Sequence, residues 1–248
     1  MTVPRVALVT GASRGIGRST ACRLARWAAV AINYHRSEAP ARALADQIAV
    51  AGGRAILVQG DVAEPEDRRR MVDRVTAELG PIDVLVNNAG FVRDRLVLRM
   101  SLEDWDSVWE ANFEGAAWLA REVLPAMAKR GWGRIVNVAS VVGIAGNAGQ
   151  ANYAAAKGAM IGLTADLALT SAASGVTINC VAPGYINTDA TAAMEQQYRD
   201  AWLEQIPMRR WGDADEIAGV IDFLAGDDAA YITGQTIVVD GGLLLSRR

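Results

Sequence analysis

A tyrosine and a lysine four residues apart, Tyr153 and Lys157, lie thirteen and seventeen residues after Ser140. On a helix, residues i and i+4 share a face, so the ammonium stands beside the phenol. A nearby positive charge favours phenolate and lowers a pKa that is otherwise about 10. A ketone accepts hydride poorly unless its oxygen receives a proton, and such a phenol can supply one.

A glycine-rich turn near the start of the chain, Thr10-Gly11-Ala12-Ser13-Arg14-Gly15-Ile16-Gly17, follows a strand-like run and opens a helix. One glycine permits the tight turn, one lets the backbone approach a pyrophosphate, and one lets helix and strand pack closely. The helix N-terminus then offers free N–H groups and a positive dipole end to phosphate. Enzymes that use NAD place an acid at the end of the second strand. Here that region reads Asn33-Tyr34-His35-Arg36-Ser37, with no acid before Glu38. Arg14 and Arg36, without a carboxylate, suit a 2′-phosphate and favour NADPH over NADH. The blander reading, Arg36 as an exposed loop residue, is the less favoured, because the missing acid carries the preference more than either arginine does. Asp61-Val62 is placed to hold the adenine edge.

Ser140, Asn87-Asn88-Ala89-Gly90 and Pro183-Gly184 end further strand-like runs. Ligands of parallel sheets bind beyond the carboxyl ends of strands, so these residues and the glycine turn converge on one edge.

The elements that position them are legible as apolar runs. These are Val6–Val9, Val30–Asn33, Ala55–Val58, Val84–Asn87, Ile135–Val138, Thr177–Val181 and Ile237–Val239. Most are rich in β-branched residues and nearly continuous in apolar character, as strands buried on both faces are. Helix signals lie between them: Ser37 before Pro40 with Gly52-Gly53 at the close, Ser101 to Asp104, and Asp213 to Glu216. This alternation predicts an α/β fold, a single-domain doubly wound parallel sheet of Rossmann type with about seven strands, spanning residues 1–248. The stretch from Gly184 to Trp211 lacks strong periodicity and reads as a lid.

Composition narrows the function classes. The chain of 248 residues is 51% hydrophobic with a net charge of −3, which argues against a nucleic-acid binder. Arg68-Arg69-Arg70 and Arg209-Arg210 read as solvated faces. Cys22 and Cys180 lack metal-like spacing, and His35 alone cannot complete a zinc site, so no metal is expected. With no leader pattern and no apolar stretch of membrane-spanning length, the expectation is a soluble cytoplasmic chain with reduced thiols.

Taken together, the glycine turn, Asn87-Asn88-Ala89-Gly90, Asn112, Ser140, Tyr153-x-x-x-Lys157 and Pro183-Gly184 resemble the short-chain dehydrogenase/reductase family from the first strand to Asp240-Gly241-Gly242. Within it, Arg93-Asp94-Arg95 with Arg99-Met100, the stretch from Gly149 to Lys157, and Tyr231 to Gln235 are similar to 3-oxoacyl-(acyl carrier protein) reductases. Acetoacetyl-CoA reductases and polyketide ketoreductases share much of this pattern.

The resemblance implies that Tyr153 protonates the ketone oxygen as hydride arrives from NADPH. Lys157 would tune that phenol and hold the nicotinamide ribose, Ser140 would polarise the carbonyl, and Asn112 would anchor a water that relays protons to Lys157. The dinucleotide would lie along Gly11, Ser13, Arg14, Gly15, Ile16 and Gly17, then Tyr34, Arg36, Asp61, Val62, Asn88, Ala89, Gly90, Tyr153, Lys157, Pro183, Gly184, Ile186 and Thr188, with Thr188 on the carboxamide. The implied substrate is a 3-oxoacyl thioester on acyl carrier protein or CoA, and the implied assembly a homotetramer. It would use the helix Leu102–Arg130, the helix from Asn152 and the Gly242–Leu245 run. Another ketone or alcohol (polyketide, sugar, steroid) and a non-catalytic dinucleotide sensor are the alternative readings.

Two stretches depart from the family pattern. Arg26-Trp27-Ala28-Ala29 replaces a glycine turn between the first helix and second strand, so that either Trp27 plugs the gap or the adenosine side of the site shifts. Thr170-Ser171-Ala172-Ala173-Ser174 stands where carrier-protein reductases commonly have charges, leaving Lys129 and Arg130 as the basic candidates for an acidic carrier.

Overall fold

The structure, a computed structural model, describes residues 4–188 and 196–246. Its centre is a parallel sheet of seven strands in the order β3-β2-β1-β4-β5-β6-β9. These are β1 (Arg5–Val9), β2 (Ala28–Tyr34), β3 (Ala55–Gln59), β4 (Val84–Asn87), β5 (Gly133–Val138), β6 (Val176–Pro183) and β9 (Thr236–Val239). A separate two-stranded pair joins β7 (Ile186–Asn187) to β8 (Gly212–Asp213). Every predicted strand is present. Strands β2, β4, β5 and β6 are buried along their whole length, which is why they read as continuous apolar runs.

Alternate side chains of each strand serve opposite faces. Ala7, Val9, Val30 and Ile32 pack with Leu24 of α1 (Gly15–Leu24), Leu44 of α2 (Glu38–Val50), and Ile217, Ile221 and Leu224 of the helix Ala214–Ala225. Leu8, Leu85, Ile135 and Ile178 pack on the other face, against Met71 of α3 (Pro65–Glu78) and Leu119 and Met127 of α5 (Gly115–Arg130). Burial of each such side chain contributes about 1.5–3 kcal/mol. Chain order reverses between β1 and β4, and this switch point opens a crevice at the carboxyl edge.

The predicted helix Leu102–Arg130 is helical throughout but not uniform. It runs as α4 (Leu102–Trp109), a π turn at Glu110–Glu114, and α5. The helix start read at Ser101 to Asp104 is a capping box: the Asp104 N–H donates to Ser101 Oγ at 3.0 Å and the Ser101 N–H to Asp104 Oδ2 at 3.3 Å. Helix α7 (Ala151–Ser171) carries Tyr153 and Lys157. The segment expected to be a lid contains β7 and the helix Gln196–Gln205, while its residues 189–195 lie outside the described residues. Among the described residues no helix is long and apolar enough to cross a membrane.

The turn at Trp27 takes the first of its two expected forms, with Trp27 packed against the core. After α1 the chain closes through right-handed turns, with the Arg26 N–H donating to Arg23 O at 3.2 Å and the Trp27 N–H to Leu24 O at 3.1 Å. No residue there takes a positive φ. The Trp27 Nε1–H donates to Asp222 Oδ1 at 2.9 Å, and Arg23 pairs with Asp215, so α1 is tied to the helix Ala214–Ala225. Strand β2 starts at Ala28, in register with Arg5 at the amino edge of the sheet. The unusual turn is therefore a full strand length from the carboxyl edge. Trp27→Phe is expected to remove one hydrogen bond worth about 1 kcal/mol. That lowers Tm by about 2–4 °C in a thermal melt and leaves the dinucleotide dissociation constant unchanged.

Candidate active site

Strands β1 and β4 end side by side, and a polar clasp joins the segments that leave them. Thr10 Oγ1 accepts the N–H groups of Asn88 and Ala89 at 2.9 and 3.0 Å and donates to Val86 O at 3.2 Å. Asn88 Nδ2 donates back to Thr10 O at 2.9 Å and Gly11 O at 3.2 Å. Gly11 and Gly15 take left-handed φ values of 59° and 53°, which require glycine. At Gly17 an added Cβ would lie 2.5 Å from Asn88 Nδ2 and from Gly11 O, so only glycine fits between turn and strand.

Asn33 braces the turn from a third side. Its Oδ1 accepts the Gly11 N–H at 3.1 Å, and its Nδ2 donates to Val58 O at 3.2 Å and Gly60 O at 3.0 Å. Asn33 was not among the expected site residues. The signal that marks it is a buried amide inside an apolar strand, because such a group must find partners.

Two clefts meet above this clasp. The larger, about 580 Å³, is lined by Gly11, Ser13, Arg14, Tyr34, Arg36, Asp61, Val62, Ala89 and Gly90. The second, about 290 Å³, is lined by Ile16, Asn88, Gly90, Asn112, Ser140, Tyr153, Lys157, Pro183, Gly184, Ile186 and Thr188. Gly90 and Phe91 line both. Of the expected site residues only Gly15 and Gly17 line neither. Gly15 faces Thr188, whose Cγ2 would be 3.4 Å from an added Cβ, and Gly17 packs under the turn.

The first carboxylate after β2, Glu38, is paired with Arg42 at 2.6 Å on α2. The rim of the larger cleft there carries Arg14 and Arg36, and Arg14 Nη2 donates to Ser37 Oγ. His35 Nδ1 lies 3.4 Å from Asp61 Oδ2.

In the second cleft Lys157 is buried and its Nζ donates to Val138 O at 2.8 Å. Burial lowers its pKa from the ordinary 10.5 to about 8. The Tyr153 ring is half-buried, and its hydroxyl end is enclosed beside Ser140. Burial pushes this phenol up to about 12, the Ser140 hydrogen bond partly offsets that, and the Asp94 carboxylate adds to it. Lys157 is not among the causes that act on this phenol, so the expected lowering by its ammonium is not found. Nζ stands 5.6 Å from the Tyr153 ring centroid, and desolvation is the larger effect on both groups.

Asn112 sits in the π turn, fully buried. Its Nδ2 donates to Phe91 O and Val108 O, each at 2.9 Å, while its Oδ1 has no protein partner. A Cβ on Gly90 would be 2.2 Å from that Oδ1 and 3.6 Å from Lys157 Nζ, which places the open acceptor and the ammonium on one small space. Behind it, Asn87 Nδ2 donates to Asn137 Oδ1 and Asn137 Nδ2 to Thr164 Oγ1, both at 2.9 Å.

A family model described as enoyl-(acyl carrier protein) reductase matches residues 11–244. The chain belongs to the short-chain dehydrogenase/reductase family. It is 45% identical over 240 residues to the 3-oxoacyl-[acyl-carrier-protein] reductase FabG of Staphylococcus epidermidis, covering 96% of this chain and 98% of that one. It is 44% identical over 246 residues to the Staphylococcus aureus FabG, covering 99% and 100%. To the Escherichia coli FabG it is 45% identical over 241 residues, covering 97% and 98%. As a family member the chain is an NAD(P)-dependent oxidoreductase. Its residues fit a nicotinamide dinucleotide: there is no room for a Cβ at Gly17 or Gly90, a helix N-terminus faces the turn, and the larger cleft leads into the one holding Tyr153.

The buried ammonium has a stability signature. Because the folded pKa of Lys157 lies below its unfolded value, the unfolded chain binds more protons between about pH 8 and 10.5, and stability rises with pH across that window. Lys157→Met removes the buried charge but strands the Val138 carbonyl. It is expected to be more stable than the parent at pH 7 by on the order of 2 kcal/mol, with the gain shrinking as pH approaches 10.5, as urea unfolding at both pH values will measure.

Proposed function

We propose that this chain reduces a 3-oxoacyl thioester to the 3-hydroxyacyl thioester, using NADPH. The observation that carries the reading is that Ser140, Tyr153, Lys157 and Asn112 line one cleft, which shares Gly90 and Phe91 with the groove beside the glycine turn. The names of the relatives supply the substrate class.

When bound, the dinucleotide supplies the hydride. Tyr153 gives its proton to the ketone oxygen, and Ser140 Oγ holds the same oxygen so that charge developing on it meets two hydroxyl groups. Lys157 Nζ faces the ribose side of the cleft and restores the proton to Tyr153. Asn112 Oδ1 accepts from a water that connects Lys157 to solvent. Gly184, Ile186 and Thr188 line the second cleft and would hold the nicotinamide, with Thr188 toward its carboxamide. Pro183 and Asn88 border it, and Ile16 stands at the pyrophosphate turn. Arg14 and Arg36 take the 2′-phosphate, and Glu38 does not compete because Arg42 holds it.

The carrier is CoA or acyl carrier protein. Arg130 is not free to receive an acidic carrier: its Nη2 donates to Ile82 O at 2.6 Å and pairs with Asp83 at 3.2 Å. Lys129 is left as the basic candidate on that helix. A homotetramer would cover Trp118 on α5, Leu169 on α7, and Val238 and Leu245 near the C-terminus, all exposed in the single chain.

NADPH oxidation with acetoacetyl-CoA tests the reading, and rapid turnover with NADPH is the expected result. Tyr153→Phe is expected to lose about 10²- to 10⁴-fold in kcat. Near-normal turnover by that variant sinks the mechanism. The pair Arg14→Ala with Arg36→Ala is expected to raise the KM for NADPH about tenfold or more with little change for NADH. Equal effects on both cofactors refute the arginine assignment.

A further inference from the structure

The loop from Asn88 to Met100 crosses between the two clefts, contributing Phe91 and Val92 to the substrate side. It has little regular structure of its own, and beyond Val92 two of its arginines, Arg93 and Arg95, converge on one carboxylate, Arg93 also lying 3.6 Å from the exposed Glu103 Oε1. Asp104 is 9% exposed. Arg93 Nη1 lies 3.4 Å from its Oδ1 and Arg95 Nε 3.4 Å from its Oδ2. The same Oδ2 receives the Ser101 N–H at 3.3 Å. The main chain continues the chain of contacts. Asn152 Nδ2 donates to Asp104 O at 3.0 Å and to Arg93 O at 3.3 Å, and Asn152 Oδ1 accepts the Tyr153 N–H at 2.8 Å. Further along the loop, the Arg95 N–H donates to Gly149 O at 2.7 Å and Gln150 Nε2 to Asp94 Oδ1 at 2.9 Å.

We propose that Asp104 is a positioning residue of this reductase: its nearly buried carboxylate clasps Arg93 and Arg95 to the start of α4 and so fixes the loop that walls the substrate cleft. It touches no reacting atom. Its charge holds the loop, while the neutral amide of Asn152 ties the same point to the helix that carries Tyr153. These two holds are separable. Replacing the carboxylate by an amide keeps an acceptor for the Ser101 N–H, so the helix cap survives and only the ion pairs are lost. Glutamate is itself a common residue at this capping position and retains the charge.

This inference rests on the thioester-reductase reading for one of its two readouts, and the other is independent of it. The first readout is limited trypsin digestion of the full chain, because Arg93 and Arg95 are cleavage sites on an exposed loop. Asp104→Asn is expected to speed cleavage after these arginines tenfold or more, and Asp104→Glu to restore protection. Unchanged cleavage in Asp104→Asn overturns the clasp whatever the substrate is. The second readout is steady-state turnover of acetoacetyl-CoA with NADPH. Asp104→Asn is expected to raise KM for the thioester about tenfold with kcat within threefold, since the Asn152 contacts remain. Arg93→Met with Arg95→Met, exposed positions that will fold even if Asp104→Asn does not, is expected to reproduce that KM. Adding Asp104→Asn to the pair is then expected to change it little further, because one interaction cannot be lost twice. Additive effects, or a fall in kcat at constant KM, reduce Asp104 to a helix cap and overturn the proposal. Loss of wild-type turnover refutes the substrate reading, and the digestion still decides the clasp.

Discussion

Everything at the carboxyl edge depends on holding two diverging segments together. The chain leaves β1 into α1 and leaves β4 into a loop, on opposite sides of the point where strand order reverses. Such a crevice is lined by backbone groups that the sheet no longer pairs, and buried polar groups left unpaired are costly. The Thr10–Asn88 clasp settles that debt. One hydroxyl takes two N–H groups, one amide takes two carbonyls, and Asn33 completes the third wall. With the walls fixed, the glycine turn stands at the larger cleft and Gly90 brings Asn112 and Lys157 to one space. The larger cleft and the one that holds Lys157 are thus two sides of one joint.

Electrostatics in the second cleft follows from burial more than from pairing. Desolvation disfavours whichever form is charged, so it drives a phenol and an ammonium in opposite directions. Tyr153 and Lys157 both move toward neutrality, one up and the other down. The phenol is therefore held toward its protonated form, and the ammonium loses its proton more readily than a solvated one does. This bias is set chiefly by enclosure. It is also a source of strain on stability that the apolar core must absorb.

Much of this was legible in the sequence. Buried parallel strands announce themselves because both faces are apolar, and all seven were found from their runs. The chemistry-bearing residues stood out because Ser140, Asn88 and Pro183 interrupt or end such runs. Less legible were residues whose meaning lies in a distant partner. Asn33, Asp104 and Asn152 look like an ordinary strand end, helix cap and helix start, and only the fold brings Gly11, Arg95 and Arg93 to them. The balance at Tyr153 was misjudged because spacing reveals a neighbouring charge but not the depth of burial. The odd turn at Trp27 was noticed, yet nothing local said that it lies at the opposite edge of the sheet. The π turn was invisible because the residues around it are helical on both sides.

That π turn has a consequence for how the site can be lost. One wide turn holds an additional residue relative to a regular helix, so it behaves like a single-residue insertion absorbed in place. It rotates everything after it about the helix axis by roughly one residue's angle, about 100°. Asn112 lies within that offset, and the buried face of α5 begins just beyond it. Deleting one residue between Glu110 and Glu114 would give a more regular helix and a better local hydrogen-bond ladder. The same deletion would swing the Asn112 amide off Phe91 and Val108 or drag the Leu119 and Met127 face out of register with the sheet. A change of length is therefore a sharper threat here than a change of identity, because repair of the irregularity is what the packing on either side of it cannot tolerate.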